Sequence, residues 1–275
     1  MKTKYVFIDI DGTLVGYDSR IPDSALRALK QAQGNGHKVI ICSGRPLYMI
    51  YPELLKAVKF DGIIASGGAC VVVDGKVIFE SLIEGESLKR IIEYFRREGI
   101  YYLVQSKDMA YGEDAFKSIV IPGMIASGYN KELVDQAYEI LTIVDDVTCV
   151  SGAEKLSYFA SPYSPDKISA DLGGKYYVVD FSVGKVNTAR SFGELNNADA
   201  TKATGIEQYI RHVGACREDT IAIGDSGNDL EMINYAGYSV AMGNATEPIK
   251  AAADFITTDV DKDGIYNAFL KLGLI

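Results

Sequence analysis

The sequence predicts a doubly wound α/β fold, a Rossmann-like parallel-sheet core, with an α+β module inserted into it. Three observations carry that expectation. Short β-branched runs alternate with helical patterns from Lys4 to Ser66, an Asp-Gly turn between apolar runs ends the alternation, and the same alternation returns after Asn197. A length of 275 residues suits two ordinary domains better than one.

The run KYVFIDID, Lys4 to Asp11, reads as a strand covered on both faces, being short, β-branched and aromatic between charges. Between Pro22 and Gly36, the residues Ala25, Leu26, Leu29 and Ala32 recur at helical spacing, with Pro22 suited to a helix start and Gly34 and Gly36 to its end. KVIIC (Lys38 to Cys42) predicts a second strand, Pro46 to Val58 a second helix, and GIIAS (Gly62 to Ser66) a third strand. In VVVDGKVIF, Val71 to Phe79, Asp74-Gly75 predicts a tight antiparallel hairpin.

The inserted module runs from Glu84 to about Phe192. Its expected elements are an amphipathic helix over Glu86 to Glu98, a strand over Tyr101 to Gln105, a helix over Lys131 to Leu141, and strands over Glu154 to Ala160 and Tyr176 to Val183. The division is therefore 1–83 and 193–275 for the core and 84–192 for the insertion. Core elements resume with a helix over Thr201 to His212, a strand at Asp219 to Asp225, a short helix from Asn228, a strand at Tyr238 to Met242 and a helix over Thr246 to Ala253.

Composition excludes several classes. Hydrophobic residues at 48% and charged residues at 24% fit a soluble globular protein and not a disordered or fibrous one. A formal charge of -9 repels a polyphosphate backbone, so a nucleic-acid partner is not expected. No apolar run reaches the ~18 residues of a membrane span, and the start of the chain lacks the features of a secretory signal. Cys42, Cys70, Cys149 and Cys216 form no C-x-x-C pair and read as reduced packing residues, which points to the cytoplasm. His37 and His212 have no ligand-spaced partner, the tyrosine pairs Tyr101-Tyr102 and Tyr176-Tyr177 read as sheet packing, and Asp259, Asp261 and Asp263 read as a solvated loop.

Four polar clusters fall at strand ends or helix starts, where a parallel α/β sheet opens its ligand crevice. The first is Asp9-Ile10-Asp11-Gly12-Thr13, in which two close carboxylates need a cation or a proton to offset their repulsion. The second is Ser43-Gly44-Arg45, whose hydroxyl and backbone N–H groups suit an anion, although an ordinary N-cap serine fits as well. The third is Lys202, a cation at a helix start, which opposes the macrodipole unless an anion is near and otherwise reads as a solvated lysine. The fourth is Gly224-Asp225-Ser226-Gly227-Asn228-Asp229, whose oxygen donors suit Mg²⁺.

In this order the four clusters resemble the haloacid dehalogenase superfamily, and the insertion resembles the α+β (type IIB) cap of its Cof-like sugar-phosphatase group. The resemblance spans essentially the whole chain, with Ser66-Gly67-Gly68-Ala69 standing where relatives often carry Asn-Gly-Ala. It implies a phosphomonoester hydrolase acting on small phosphorylated metabolites, sugar phosphates first, with Mg²⁺ as cofactor. Asp9 is implied as nucleophile and Asp11 as acid and base. Ser43, Gly44, Lys202 and Asn228 are implied to bind the phosphoryl oxygens, and Asp9, the Asp11 carbonyl, Asp225 and Asp229 to hold the metal. A phosphatase for a nucleotide or a cofactor such as pyridoxal phosphate, a phosphomutase and a non-catalytic phosphate-binding module are the alternatives. Oligomeric state is left open.

Overall fold

The computed structural model describes residues 2–16, 20–126, 131, 134, 138, 139, 141–180 and 191–275. Two compact units form: Met1–Glu80 with Thr201–Ile275, and Ser81–Ala200. The first segment of the core unit carries β1 (Tyr5–Ile8), α1 (Asp23–Gly34), β2 (Lys38–Cys42), α2 (Pro52–Ala57), β3 (Gly62–Ala65), β4 (Cys70–Val73) and β5 (Lys76–Glu80). The inserted unit follows with β6 (Ile83–Glu84), α3 (Gly85–Arg97), β7 (Tyr101–Gln105), β8 (Ala110–Gly112), α4 (Ile121–Ala126), β9 (Leu141–Ile143), β10 (Gly152–Ala153), β11 (Lys155–Ser161), α5 (Pro165–Asp171), β12 (Tyr176–Asp180) and β13 (Ser191–Asn197). The core is completed by α6 (Lys202–Val213), β14 (Thr220–Gly224), α7 (Leu230–Tyr235), β15 (Tyr238–Ala241), α8 (Glu247–Ala252), β16 (Phe255–Ile256) and α9 (Gly264–Lys271).

The core sheet has the order β16-β15-β14-β1-β2-β3-β4-β5. Strands β16 through β3 are parallel, and β4 and β5 extend the edge antiparallel. The chain moves from β1 through β2 to β3 in one direction, and from β14 through β15 to β16 in the other. The reversal lies between β1 and β14, which is where a crevice opens at the carboxyl ends of such a sheet. Val6, Phe7 and Ile8 on β1 and Ala222 and Ile223 on β14 are fully buried, as a sheet covered on both faces demands. Helix α1 packs against α9, while α7 packs against α6 and α8.

The hairpin between β4 and β5 turns at Asp74 (φ 49°) and Gly75 (φ 72°), the two left-handed positions that an Asp-Gly turn supplies. The expected single helix over Pro46 to Val58 is corrected: a 3₁₀ turn at Leu47–Met49 stops at an extended Ile50, and α2 begins afresh at Pro52. Proline has no N–H to donate into a preceding turn and drives the residue before it out of the helical region. Packing as the role of all four cysteines is also corrected, since Cys42 and Cys70 are buried but Cys149 and Cys216 are exposed.

In the inserted unit a six-stranded sheet has the order β12-β13-β11-β7-β8-β9. Ile91, Ile92 and Phe95 of α3 pack on Val104, Leu156, Tyr158 and Leu195 of that sheet. The helix expected over Lys131 to Leu141 lies largely outside the described residues, with Leu141 opening β9, and the strand expected to Val183 is described as far as Asp180. Among the described residues no helix is long and apolar enough to cross a membrane.

Gly68 is where the loop after β3 meets the start of α6. Its φ is 107°, and a Cβ there would lie 1.9 Å from the Thr201 carbonyl oxygen. Gly68→Ala is therefore expected to lower stability by more than about 1 kcal/mol, measured by chemical denaturation, because both the backbone conformation and the close approach forbid a side chain.

Candidate active site

Three carboxyl ends of the core sheet, those of β1, β2 and β14, and the start of α6 bring the motif residues together. Asp9 directly follows β1, and its N–H donates to the Ile223 carbonyl at 3.0 Å, carrying the β1–β14 pairing one step beyond the strands. Asp225 directly follows β14, so the two carboxylates emerge from adjacent strands. Lys202 opens α6, where Thr201 caps the helix by accepting from the Thr204 N–H. Its ammonium donates to Asp9 Oδ1 at 2.7 Å and to Asp229 Oδ1 at 2.5 Å. The lysine is 2% exposed, so the reading as a solvated surface cation is corrected. Two anions face the helix start, which is the condition under which a cation is tolerated there.

Asp229 has a second task. Its Oδ2 accepts from the N–H groups of Asp225 (2.9 Å) and Ser226 (3.0 Å), half of a capping box with Ser226. The loop after β14 is thus folded around this carboxylate. Asp225 Oδ1 accepts from the Thr13 hydroxyl at 2.9 Å. Gly12 sits at φ 84°, and a Cβ there would fall 2.4 Å from Asp225 Oδ2. Only glycine lets the first loop turn this close to the carboxylate.

Asp9, Asp225 and Asp229 are all buried, and one oxygen of each lies within 4.8 Å of the others. Burial, with the charge of Asp229 next, pushes Asp225 up to about 7, against the hydrogen bond from Thr13. Burial raises Asp9 too, although the Lys202 ammonium pulls the other way. Burial works against the charge on Lys202, but Asp229 and Asp9 outweigh it and raise that pKa. The lysine accordingly remains an ammonium. Three carboxylates against one ammonium leave up to two negative charges in a buried space. A hard divalent cation fits these residues because the donors are all carboxylate oxygens, one from each aspartate, within 4.8 Å of one another.

Asp11 is placed differently. Its side chain is 49% exposed, and its partners are Arg45 and Tyr51. Ser43 follows β2, is buried, and accepts from the Arg45 N–H at 3.2 Å. A Cβ on Gly44 would come 3.3 Å from Asn228 Nδ2, so the second and fourth clusters meet at this point, with Asn228 Oδ1 accepting from the Ser226 hydroxyl. Three residues carrying this geometry were not assigned a role from the sequence. Thr13 and Arg45 lie inside motifs already singled out. Asn244, whose side chain donates to the Gly12 carbonyl at 2.8 Å and accepts from the Val260 N–H, follows β15 at the same end of the sheet, and that position was the available signal.

Comparison with known proteins agrees with this geometry. A profile of haloacid dehalogenase-like hydrolases matches residues 6–269. YkrA of Bacillus subtilis (strain 168), whose name proposes a phosphatase, is 30% identical over 283 residues, 100% of each chain. YwtE of the same organism, named a 5-amino-6-(5-phospho-D-ribitylamino)uracil phosphatase, is 26% identical over 274 residues, 95% of each chain. Among solved structures, the HAD subclass IIB sugar phosphatase BT4131 matches with a TM-score of 0.80 at 28% identity, covering 99% of this chain and 100% of that one. Because the profile runs from β1 into α9 and takes in all four clusters, the chain belongs to the haloacid dehalogenase-like hydrolases.

Proposed function

We propose that the protein is a Mg²⁺-dependent phosphomonoester hydrolase that acts on small polyhydroxylated metabolites, sugar phosphates foremost, through an aspartyl phosphate on Asp9. The observation that carries this reading is the buried meeting of Asp9 with Lys202, Asp225 and Asp229. The names of the relatives support the substrate class, since a sugar phosphate and a phosphoribityl compound share a hydroxylated chain bearing a phosphate. The inserted unit, Ser81–Ala200, would then be the cap that chooses the leaving group. The free cysteines and the small-metabolite substrate support a cytoplasmic setting.

Asp9 attacks phosphorus through a carboxylate oxygen, and the bond from phosphorus to the leaving oxygen breaks. Asp11 gives its proton to that oxygen, then takes one from the water that attacks phosphorus and restores the Asp9 carboxylate. Lys202 neutralises part of the charge next to Asp9, and Ser43, Gly44 and Asn228 supply donors for the phosphoryl oxygens. Asp9, the Asp11 carbonyl and Asp225 would hold Mg²⁺, with Asp229 directly or through water. Bound there, it would screen the repulsion between nucleophile and phosphate.

Asp9→Asn is expected to lower phosphate release from p-nitrophenyl phosphate by more than roughly 10³-fold while circular dichroism shows an intact fold. Near-normal turnover in that variant would refute the covalent route. EDTA is expected to stop hydrolysis and added Mg²⁺ to restore it, with full activity in the chelator as the refuting result. A pH dependence follows from Asp225. Its folded value, about 7, lies above its ordinary 3.8, so the metal-free fold loses stability as pH rises between those values. Cation binding needs the ionised carboxylates and offsets that loss. The increase in Tm on adding Mg²⁺, read by differential scanning fluorimetry, is therefore expected to be larger at pH 7.5 than at pH 5, and an equal increase at both would contradict it.

A further inference from the structure

Asp11 is gripped as no other carboxylate of the site is. Arg45 Nε donates to its Oδ2 at 2.6 Å and Arg45 Nη2 to its Oδ1 at 2.8 Å, a two-point pairing in the plane of the guanidinium. The Tyr51 hydroxyl also reaches Oδ1 at 3.3 Å and accepts from Arg45 Nη2 at 2.6 Å. The guanidinium lies over the Tyr51 ring, 4.3 Å from its centroid, and its Nη1 donates to the Met49 carbonyl at 3.2 Å. Arg45 is thus fixed from three sides: by the ring, by a backbone carbonyl and by Asp11. The short extended stretch that breaks the expected helix over Pro46 to Val58 is what carries Met49 and Tyr51 to it.

We propose that Arg45, backed by Tyr51, is a positioning residue that fixes the Asp11 carboxyl group for proton transfer to the leaving oxygen. This rests on the reading of Asp11 as the proton carrier. Both Asp11 oxygens accept hydrogen bonds in the pairing, which fixes the plane of the carboxyl group and still leaves Oδ2 a lone pair for a proton. The proton that Asp11 gives leaves with the alcohol as the phosphorus–oxygen bond breaks, and the water that attacks next returns one to Asp11.

The consequence appears in the leaving group and not in phosphate binding. An alkyl alcohol cannot depart without a proton, whereas p-nitrophenolate can. Because kcat/KM covers only steps through departure of the leaving group, it isolates the acid role. In Arg45→Met, kcat/KM for an alkyl phosphate (hexose 6-phosphate, ribitol 5-phosphate or glycerol phosphate, whichever the wild type turns over) is expected to fall roughly 10- to 100-fold further than kcat/KM for p-nitrophenyl phosphate. Arg45→Lys, which keeps the charge but not the two-point geometry, should recover part of that ratio. Comparing two substrates within one preparation cancels any loss of folded protein. An equal fall with both substrates would overturn the proposal and mark Arg45 as a phosphate ligand or a structural residue. Wild-type protein inert toward every probe would instead overturn the phosphatase reading, and this inference with it.

Discussion

Bringing three aspartates into one buried space is the constraint around which the core unit is organised. In a low-dielectric interior each carboxylate raises the cost of ionising the next, and water is not there to help. The fold answers with a different device for each. Asp229 is satisfied by two backbone N–H groups and Lys202, Asp225 by the Thr13 hydroxyl, and Asp9 by the same lysine. These devices reduce the repulsion without removing it, as the raised values of Asp9 and Asp225 show. A site left short of positive charge in this way is prepared for a cation.

The same group serves structure and chemistry at several points. Asp229 both shapes the loop after β14 and anchors Lys202, so its removal would disturb the loop as well as the charge balance. Lys202 contributes to the start of α6 only because two anions oppose it. Asp11, whose carboxylate instead pairs with Arg45, is the one left half exposed.

Much of the core was legible in the sequence because its signals are local. The buried strand at Tyr5–Ile8, the Asp74-Gly75 hairpin and the helix beginning at Lys202 are each written in a few adjacent residues. Where a signal depends on distant partners, reading failed. Strand β13, Ser191–Asn197, carries Gly193, Glu194 and two asparagines and shows no strand pattern, but it is paired on both sides by β11 and β12. Helices α5 and α9 were also not foreseen, the first lasting only seven residues. In the site, composition pointed to Asp9, Asp225 and Asp229, yet the burial of Lys202 could not be read from a lysine beside threonine and alanine. Nor could the pairing of Arg45 with Asp11, because that contact spans 34 residues and depends on a helix breaking at Pro52.

The placement of β1 between β2 and β14 bears on how the chain matures. One neighbour of β1 is supplied by the adjoining segment, but the other is made only after the whole insertion, and the Thr13–Asp225 hydrogen bond joins residues 212 apart. During synthesis the central strand therefore emerges with one side unpaired, offering bare amide and carbonyl groups along an apolar edge. Closing so long a loop before the reward of pairing slows folding. Asp9 thus acquires its surroundings last, and a nascent chain truncated before β14 would hold an aggregation-prone half sheet without the Asp225 and Asp229 carboxylates.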